Sequence, residues 1–236
     1  MREALVGTTG VVTQLETKAY FGSQLYTCNG NTFEPTNVAR ALTNANAIRT
    51  SIDSKTSGGN TPTPEALNAA RLSFAATPPP TGSPPVIVLA TDGLPNSCNG
   101  GNTEAQSVAA AAAAYAAGIP VFVLAINQNS QHFQDVANAG QGWQAGQPNV
   151  TYYPAANAAQ LQAAFQTIIN GVISCDLSLT SSIDATQAMN GTLTINGVQQ
   201  MYGTDWMLVG GNVIRLTGAA CNTLKTTTNP AVQATF

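Results

Sequence analysis

Two short segments hold the side chains best suited to chemistry. Gly58-Gly59-Asn60-Thr61-Pro62-Thr63-Pro64-Glu65 is a glycine-loosened loop that delivers a threonine hydroxyl and then starts a helix. Thr63 suits the N-cap and Pro64 the first helical turn, where a missing N–H costs nothing. Val86-Ile87-Val88-Leu89-Ala90-Thr91-Asp92-Gly93 is an apolar run ending in a carboxylate before a glycine. It reads as a buried parallel strand with its aspartate at the carboxyl edge of a sheet. A hydroxyl and a carboxylate at one sheet edge are hard oxygen ligands, and they suit a hard divalent cation. Other reactive side chains offer less. His132 is the single histidine and reads as a surface or helix-capping residue, and Ser23, Ser97 and Ser107 lack a Gly-x-Ser-x-Gly setting, so no hydrolase triad is expected. Gly100-Gly101 and Gly140-Gln141-Gly142-Trp143 are loop glycines without the pattern of a phosphate cradle. The reading is of a binding protein and not an enzyme.

The elements that must position these residues follow from periodicity. Leu5, Val11, Val12 and Leu15 form a helical face, and Lys18–Cys28 reads as a strand, Tyr20–Tyr26 at its centre. Val38, Leu42 and Ile48 suggest a short edge strand and then a helix that stops at the Ser57-Gly58-Gly59 breaker. Pro64–Phe74 is a helix and Pro85–Thr91 a strand. Thr103 and Gln106 form a capping box for the alanine-rich helix that Gly118 closes. Ile119–Ile126 is a buried strand, His132–Ala139 a helix, Val150–Tyr153 a last short strand and Asn157–Ile169 a helix. Alternation of this kind predicts an α/β fold with a doubly wound, mostly parallel sheet. The character changes at Cys175. Asn190-Gly191, Asn196-Gly197 and Gly210-Gly211-Asn212 are hairpin signals between short alternating strands without a helical period, so 174–236 reads as a small antiparallel β module after an α/β domain over 1–173.

Composition sets the class. Hydrophobic residues make up 44% of the 236 and charged ones 8%, with a net charge of −3, which describes a globular chain. Eight basic residues form no stripe, which argues against nucleic acid, and no apolar run approaches about twenty residues, which argues against a membrane span. Four cysteines allow two disulfides in three connectivities, and with a surface rich in Asn, Gln, Thr and Ser they point to an extracytoplasmic setting. Met1-Arg2-Glu3-Ala4-Leu5 opens inside an amphipathic pattern with no signal peptide.

The Thr61-Pro62-Thr63 loop, the Thr91-Asp92-Gly93 strand end and Gly118-Ile119-Pro120-Val121-Phe122-Val123-Leu124 together resemble a von Willebrand factor type A domain. The tail, with Gly218-Ala219-Ala220-Cys221 and a final Val232–Phe236 strand, is similar to the carboxyl ends of secreted bacterial proteins of that kind. The resemblance implies a metal-ion-dependent adhesion site in which Thr61 binds the ion directly or through water and Asp92 binds through water. Mg²⁺ or another divalent cation would keep an open position for the carboxylate of a protein ligand. The family's remaining ligands come from an Asp-x-Ser-x-Ser loop, which this chain lacks. Asp53-Ser54 lies at a helix end, and Asp176-Leu177-Ser178 is short of the second serine. We read the first strand and its loop as belonging to a longer parent, so the site here is partial and this chain alone need not hold a cation. In the family's strand order, 3-2-1-4-5-6, the missing strand lies between those of Tyr20–Tyr26 and Val86–Ala90 and leaves two edges without a partner. The alternative is a structural scaffold whose metal site is silent. For the cysteines, Cys28 at a parallel strand's end and Cys98 in the loop after another should share the carboxyl-edge surface and pair, while Cys175 and Cys221 bracket and staple the tail.

Overall fold

The computed structural model describes every residue except Ser57, Asn102, Thr228 and Asn229. Ser57, the first residue of the expected breaker, therefore lies outside the described residues. The chain divides into two compact units, Met1–Pro79 with Pro85–Ile169, and Pro80–Pro84 with Asn170–Phe236.

The first unit runs α1 (Arg2–Val6), α2 (Val11–Leu15), β1 (Phe21–Asn29), β2 (Thr32–Ala41), α3 (Ala45–Asp53), α4 (Thr63–Ala76), β3 (Ile87–Thr91), α5 (Thr103–Ala116), β4 (Val121–Ile126), α6 (Gln131–Gly140), β5 (Tyr153–Ala155) and most of α7 (Ala158–Val172), whose residues after Ile169 belong to the second unit. Strands β3, β4 and β5 form a parallel sheet in that order, with Ile87 opposite Val121 and Leu124 opposite Tyr153. Both faces are covered, as the continuous apolar runs require. Ile87, Leu89, Val121, Val123 and Ala125 pack with Leu67 of α4, Ala110, Ala111 and Ala114 of α5, and Phe133 and Val136 of α6. The alternate residues Val88, Ala90, Phe122, Leu124 and Ile126 pack with Ala4 of α1 and Leu161 and Ile168 of α7. This is the doubly wound α/β arrangement expected from the sequence.

Several local expectations are corrected. The helical face from Leu5 to Leu15 is split into two short helices, with Gly7 at the end of the first and Gly10 at the start of the second, where a Cβ would stand 2.5 Å from the Leu5 carbonyl oxygen. The strand expected at Tyr20–Tyr26 as a member of the parallel sheet is instead β1 of an antiparallel hairpin, with Phe21 opposite Ala41 and Asn29 opposite Thr32. Gly30, at φ 58°, opens its two-residue turn. Strand β2 is ten residues and not a short edge, and it accommodates Pro35 as an edge strand that pairs, among the described residues, with β1 alone. Among the described residues β1 pairs only with β2 and β3 only with β4, so each keeps one edge with no strand partner. Thr103 begins α5 and donates its hydroxyl to the Pro95 carbonyl at 2.7 Å, which takes it out of the expected capping box. The strand expected at Val150–Tyr153 shifts to Tyr153–Ala155, because α6 side chains occupy the Val150 backbone. Asn138 accepts from its N–H at 3.1 Å, and Gln134 donates to its carbonyl at 2.8 Å.

The second unit holds β6 (Asp176–Ser178), α8 (Ala185–Asn190), β7 (Thr192–Ile195), β8 (Val198–Gln200), β9 (Trp206–Val209), β10 (Val213–Leu216), α9 (Gly218–Thr226) and β11 (Val232–Thr235). Two antiparallel sheets, β6-β10-β9 and β11-β7-β8, enclose a core around Trp206, Leu193, Ile195 and Ile214. The Asn196-Gly197 pair, both at positive φ, makes the expected hairpin between β7 and β8. The absence of helices expected for this region is wrong: Asn190-Gly191 closes α8 where a hairpin was anticipated, and Cys221 sits on α9. A capping box between Asp184 and Gln187 fixes the start of α8. Cys175 and Cys221 are bonded, with Cα atoms 5.4 Å apart.

Candidate functional site

The Thr91-Asp92-Gly93 segment ends β3 at the carboxyl edge of the parallel sheet, where open α/β sheets place their ligands. Thr91 is buried, and its hydroxyl donates to the Gly93 carbonyl at 3.0 Å, which turns the chain sharply after Asp92. Asp92 itself is exposed, and its backbone carbonyl accepts from Gln128, which follows β4, at 3.0 Å. The loop from Gly58 to Pro62 arrives beside it. The Thr61 hydroxyl lies 3.5 Å from the point where a Cβ on Gly93 would stand. The two sequence-selected residues thus share one edge of the sheet, and among the described residues neither the Thr61 hydroxyl nor the Asp92 carboxylate has a hydrogen-bond or ion-pair partner.

Thr63 does not cap its helix as expected. It is the first residue of α4, Pro62 holds the N-cap position, and the buried Thr63 hydroxyl reaches back to Thr61 O at 3.4 Å. The side chain is turned inward, where it and the Thr91 hydroxyl approach the phenol of Tyr26. Burial pushes the Tyr26 hydroxyl pKa above its ordinary value, and the negative charge of Asp92 pushes the same way, against the two threonine hydroxyls. Sequence reasoning missed Tyr26, since an aromatic in a strand reads as core.

Two further residues, Asn96 and Glu65, escaped it. Asn96 bonds both backbone groups of Thr61: Thr61 N–H donates to its side-chain Oδ1, and the Asn96 N–H donates to Thr61 O at 3.0 Å. Glu65, in the first turn of α4, accepts from Ser97 Oγ and from the Cys98 N–H at 3.1 Å. Cys98 is bonded to Cys28, with Cα atoms 5.5 Å apart, which fastens the hairpin β1–β2 to the loop after Asp92. No local signal marked Asn96 or Glu65, since each acts on a segment distant in sequence. Gly59, at φ 93°, lies against the end of β1, where a Cβ would stand 2.6 Å from Thr27 Oγ1. A groove of about 600 Å³ lined by Glu65, Asn68, Ser97, Asn99 and Gln106 lies between α4 and α5.

His132 is not on the surface as expected. It is buried at the start of α6 beside Phe133, and burial lowers its pKa against the opposing pull of Glu104 and Asp135. Its backbone N–H is capped by Ser130.

Thr61 and Asp92 carry a hydroxyl and a carboxylate, donor types that a hard divalent cation would accept. Among the described residues no three of His, Cys, Asp and Glu gather to hold a metal. No helix there is long and apolar enough to cross a membrane.

The family model of the von Willebrand factor type A domain matches residues 10–167, more than half of the chain. No curated protein matches it in sequence. Among solved structures, the pilus adhesin SpaC from Lactobacillus rhamnosus GG is similar in fold, with a TM-score of 0.53 and 14% identity over 87% of this chain. A second structure of that adhesin, in an open conformation, gives the same values. This chain spans about a third of the adhesin's length, 33%. The likeness concerns the fold.

Proposed function

The chain belongs to the von Willebrand factor type A domain family, and on that premise we propose that it is a protein-binding, adhesion-type module that engages its partner through a divalent cation at the edge holding Thr61 and Asp92. The observation that carries this reading is the placing of Thr61 and Asp92 at one sheet edge from loops 31 residues apart in sequence, each with a side-chain oxygen that has no partner among the described residues. A bound cation would supply Lewis acidity toward an incoming carboxylate. Thr61 would hold it with a neutral hydroxyl, and Asp92 would bond its water shell. With so little anionic charge from the protein, the cation keeps enough positive character to draw a carboxylate from a protein partner. On this reading, water and oxygens of the partner would fill the other positions around the cation. Two disulfides and the adhesin-like fold support a secreted, periplasmic or cell-surface setting.

A second reading, a scaffold with a silent site, is favoured by one observation: no Asp-x-Ser-x-Ser occurs in the 236 residues. Titration of the natural full-length protein with Mn²⁺, monitored through the free-ion EPR signal, separates the two. Saturable binding that Asp92→Ala abolishes is the expected result. No binding by the wild type, or binding indifferent to Asp92, would leave the scaffold reading in place.

A further inference from the structure

We infer that Asn96 is the positioning residue of this site: it pins the peptide of Thr61 so that the Thr61 hydroxyl is presented against the Asp92-Gly93 end of β3. The inference rests on the cation reading above and adds to it the residue that organises the site. Asn96 touches Thr61 twice, with its side-chain Oδ1 accepting from the Thr61 N–H and its own N–H donating to Thr61 O at 3.0 Å. The same carbonyl also accepts from the Thr63 N–H at 2.7 Å. Both backbone groups of Thr61 are therefore committed, and the hydroxyl is the one polar group it has left to offer.

Such a clamp works only if Asn96 is itself fixed. The residues that follow it are anchored at two more points. Ser97 and the Cys98 N–H bond to Glu65, four residues beyond Thr61, and Cys98 is tied covalently to Cys28. The segment preceding it leaves β3 through the Thr91–Gly93 turn, which sets Asp92. The loops holding Thr61 and Asp92 thus form one cross-braced unit, with Asn96 at the crossing. A preorganised ligand gives up little freedom on binding, so the clamp raises affinity without touching the ion. Neither role is legible locally, because Asn96 and Thr61 stand 35 residues apart.

The test uses the natural full-length protein with Asn96→Ala and Asn96→Asp, Mn²⁺ as the probe, and amide hydrogen exchange of the metal-free protein. Asn96→Ala removes the side-chain acceptor and keeps the backbone donor, so it should speed exchange of the Thr61 N–H and weaken Mn²⁺ binding on the order of tenfold, the worth of one hydrogen bond. Asn96→Asp keeps an acceptor oxygen at that position and should hold exchange slow and bind Mn²⁺ at least as tightly as the wild type. A purely structural role would instead lower the unfolding temperature of both variants with no rescue of affinity by aspartate. Wild-type binding that Asn96→Ala leaves unchanged overturns the role of Asn96 alone. A wild type that binds no Mn²⁺ overturns the cation reading, and the inference falls with it.

Discussion

Replacing Cys28 and Cys98 together by alanine removes the covalent link between the β1–β2 hairpin and the loop after Asp92. The bridge closes a loop of 70 residues, for which the chain-entropy relation gives about 4.4 kcal/mol of stabilisation at 25 °C. Cys175–Cys221, with a separation of 46, comes to about 4 kcal/mol by the same relation. The logarithm makes the two bridges nearly equal despite their different spans. Against a net stability of about 5–15 kcal/mol, either loss is a large fraction of what holds a domain together. At roughly 2–4 °C per kcal/mol for a chain of this size, the first variant should melt on the order of 10 °C below the wild type. Because the effect arises in the denatured chain, the urea m-value should also rise as that chain expands. Urea titration followed by far-UV circular dichroism, with calorimetry alongside, measures both quantities. A loss below about 1 kcal/mol with an unchanged m-value would refute the argument, since it would mean the unlinked chain is already as restricted as the linked one.

Gly140→Ala should destabilise by about 1–3 kcal/mol in urea unfolding, because the new methyl would stand 2.6 Å from the Cβ of Val121, a fully buried and stiff residue of the central strand. Gly171→Ala on α7 meets nothing within 4 Å, and it should instead stabilise by up to about 1 kcal/mol through helix propensity. Tyr26 gives a pH dependence. Its folded-state pKa lies above the ordinary value near 10, so the stabilisation is complete below that value and is lost as pH rises through it toward the folded pKa. The melting temperature should therefore fall faster between about pH 9 and 11 in the wild type than in Tyr26→Phe; parallel curves would remove burial of the phenol as the cause.

The strands β3 and β4 are written in the sequence itself. Both faces of each are apolar, which demands cover on two sides, and the glycines and prolines around them leave helices as the cover. The Asp92 position is equally legible, since a carboxylate that ends such a run can only emerge at a sheet edge. The Asn196-Gly197 hairpin needs no more than two residues at positive φ. What the tertiary structure decided is partnership. Half-exposed strands such as β1 and β2 specify a ribbon without saying what lies beside it, so their antiparallel pairing had to be seen. Asn138 and Gln134 moved β5 because a side chain took a backbone group that the local pattern had assigned to a ladder. Thr63 turned inward toward Tyr26 and gave up the cap that its own neighbourhood favours. Periodicity reports how much water each face of an element sees. It does not report which distant side chain meets which peptide, and the bonds from Asn96 to Thr61 and from Cys98 to Glu65 are of that second kind.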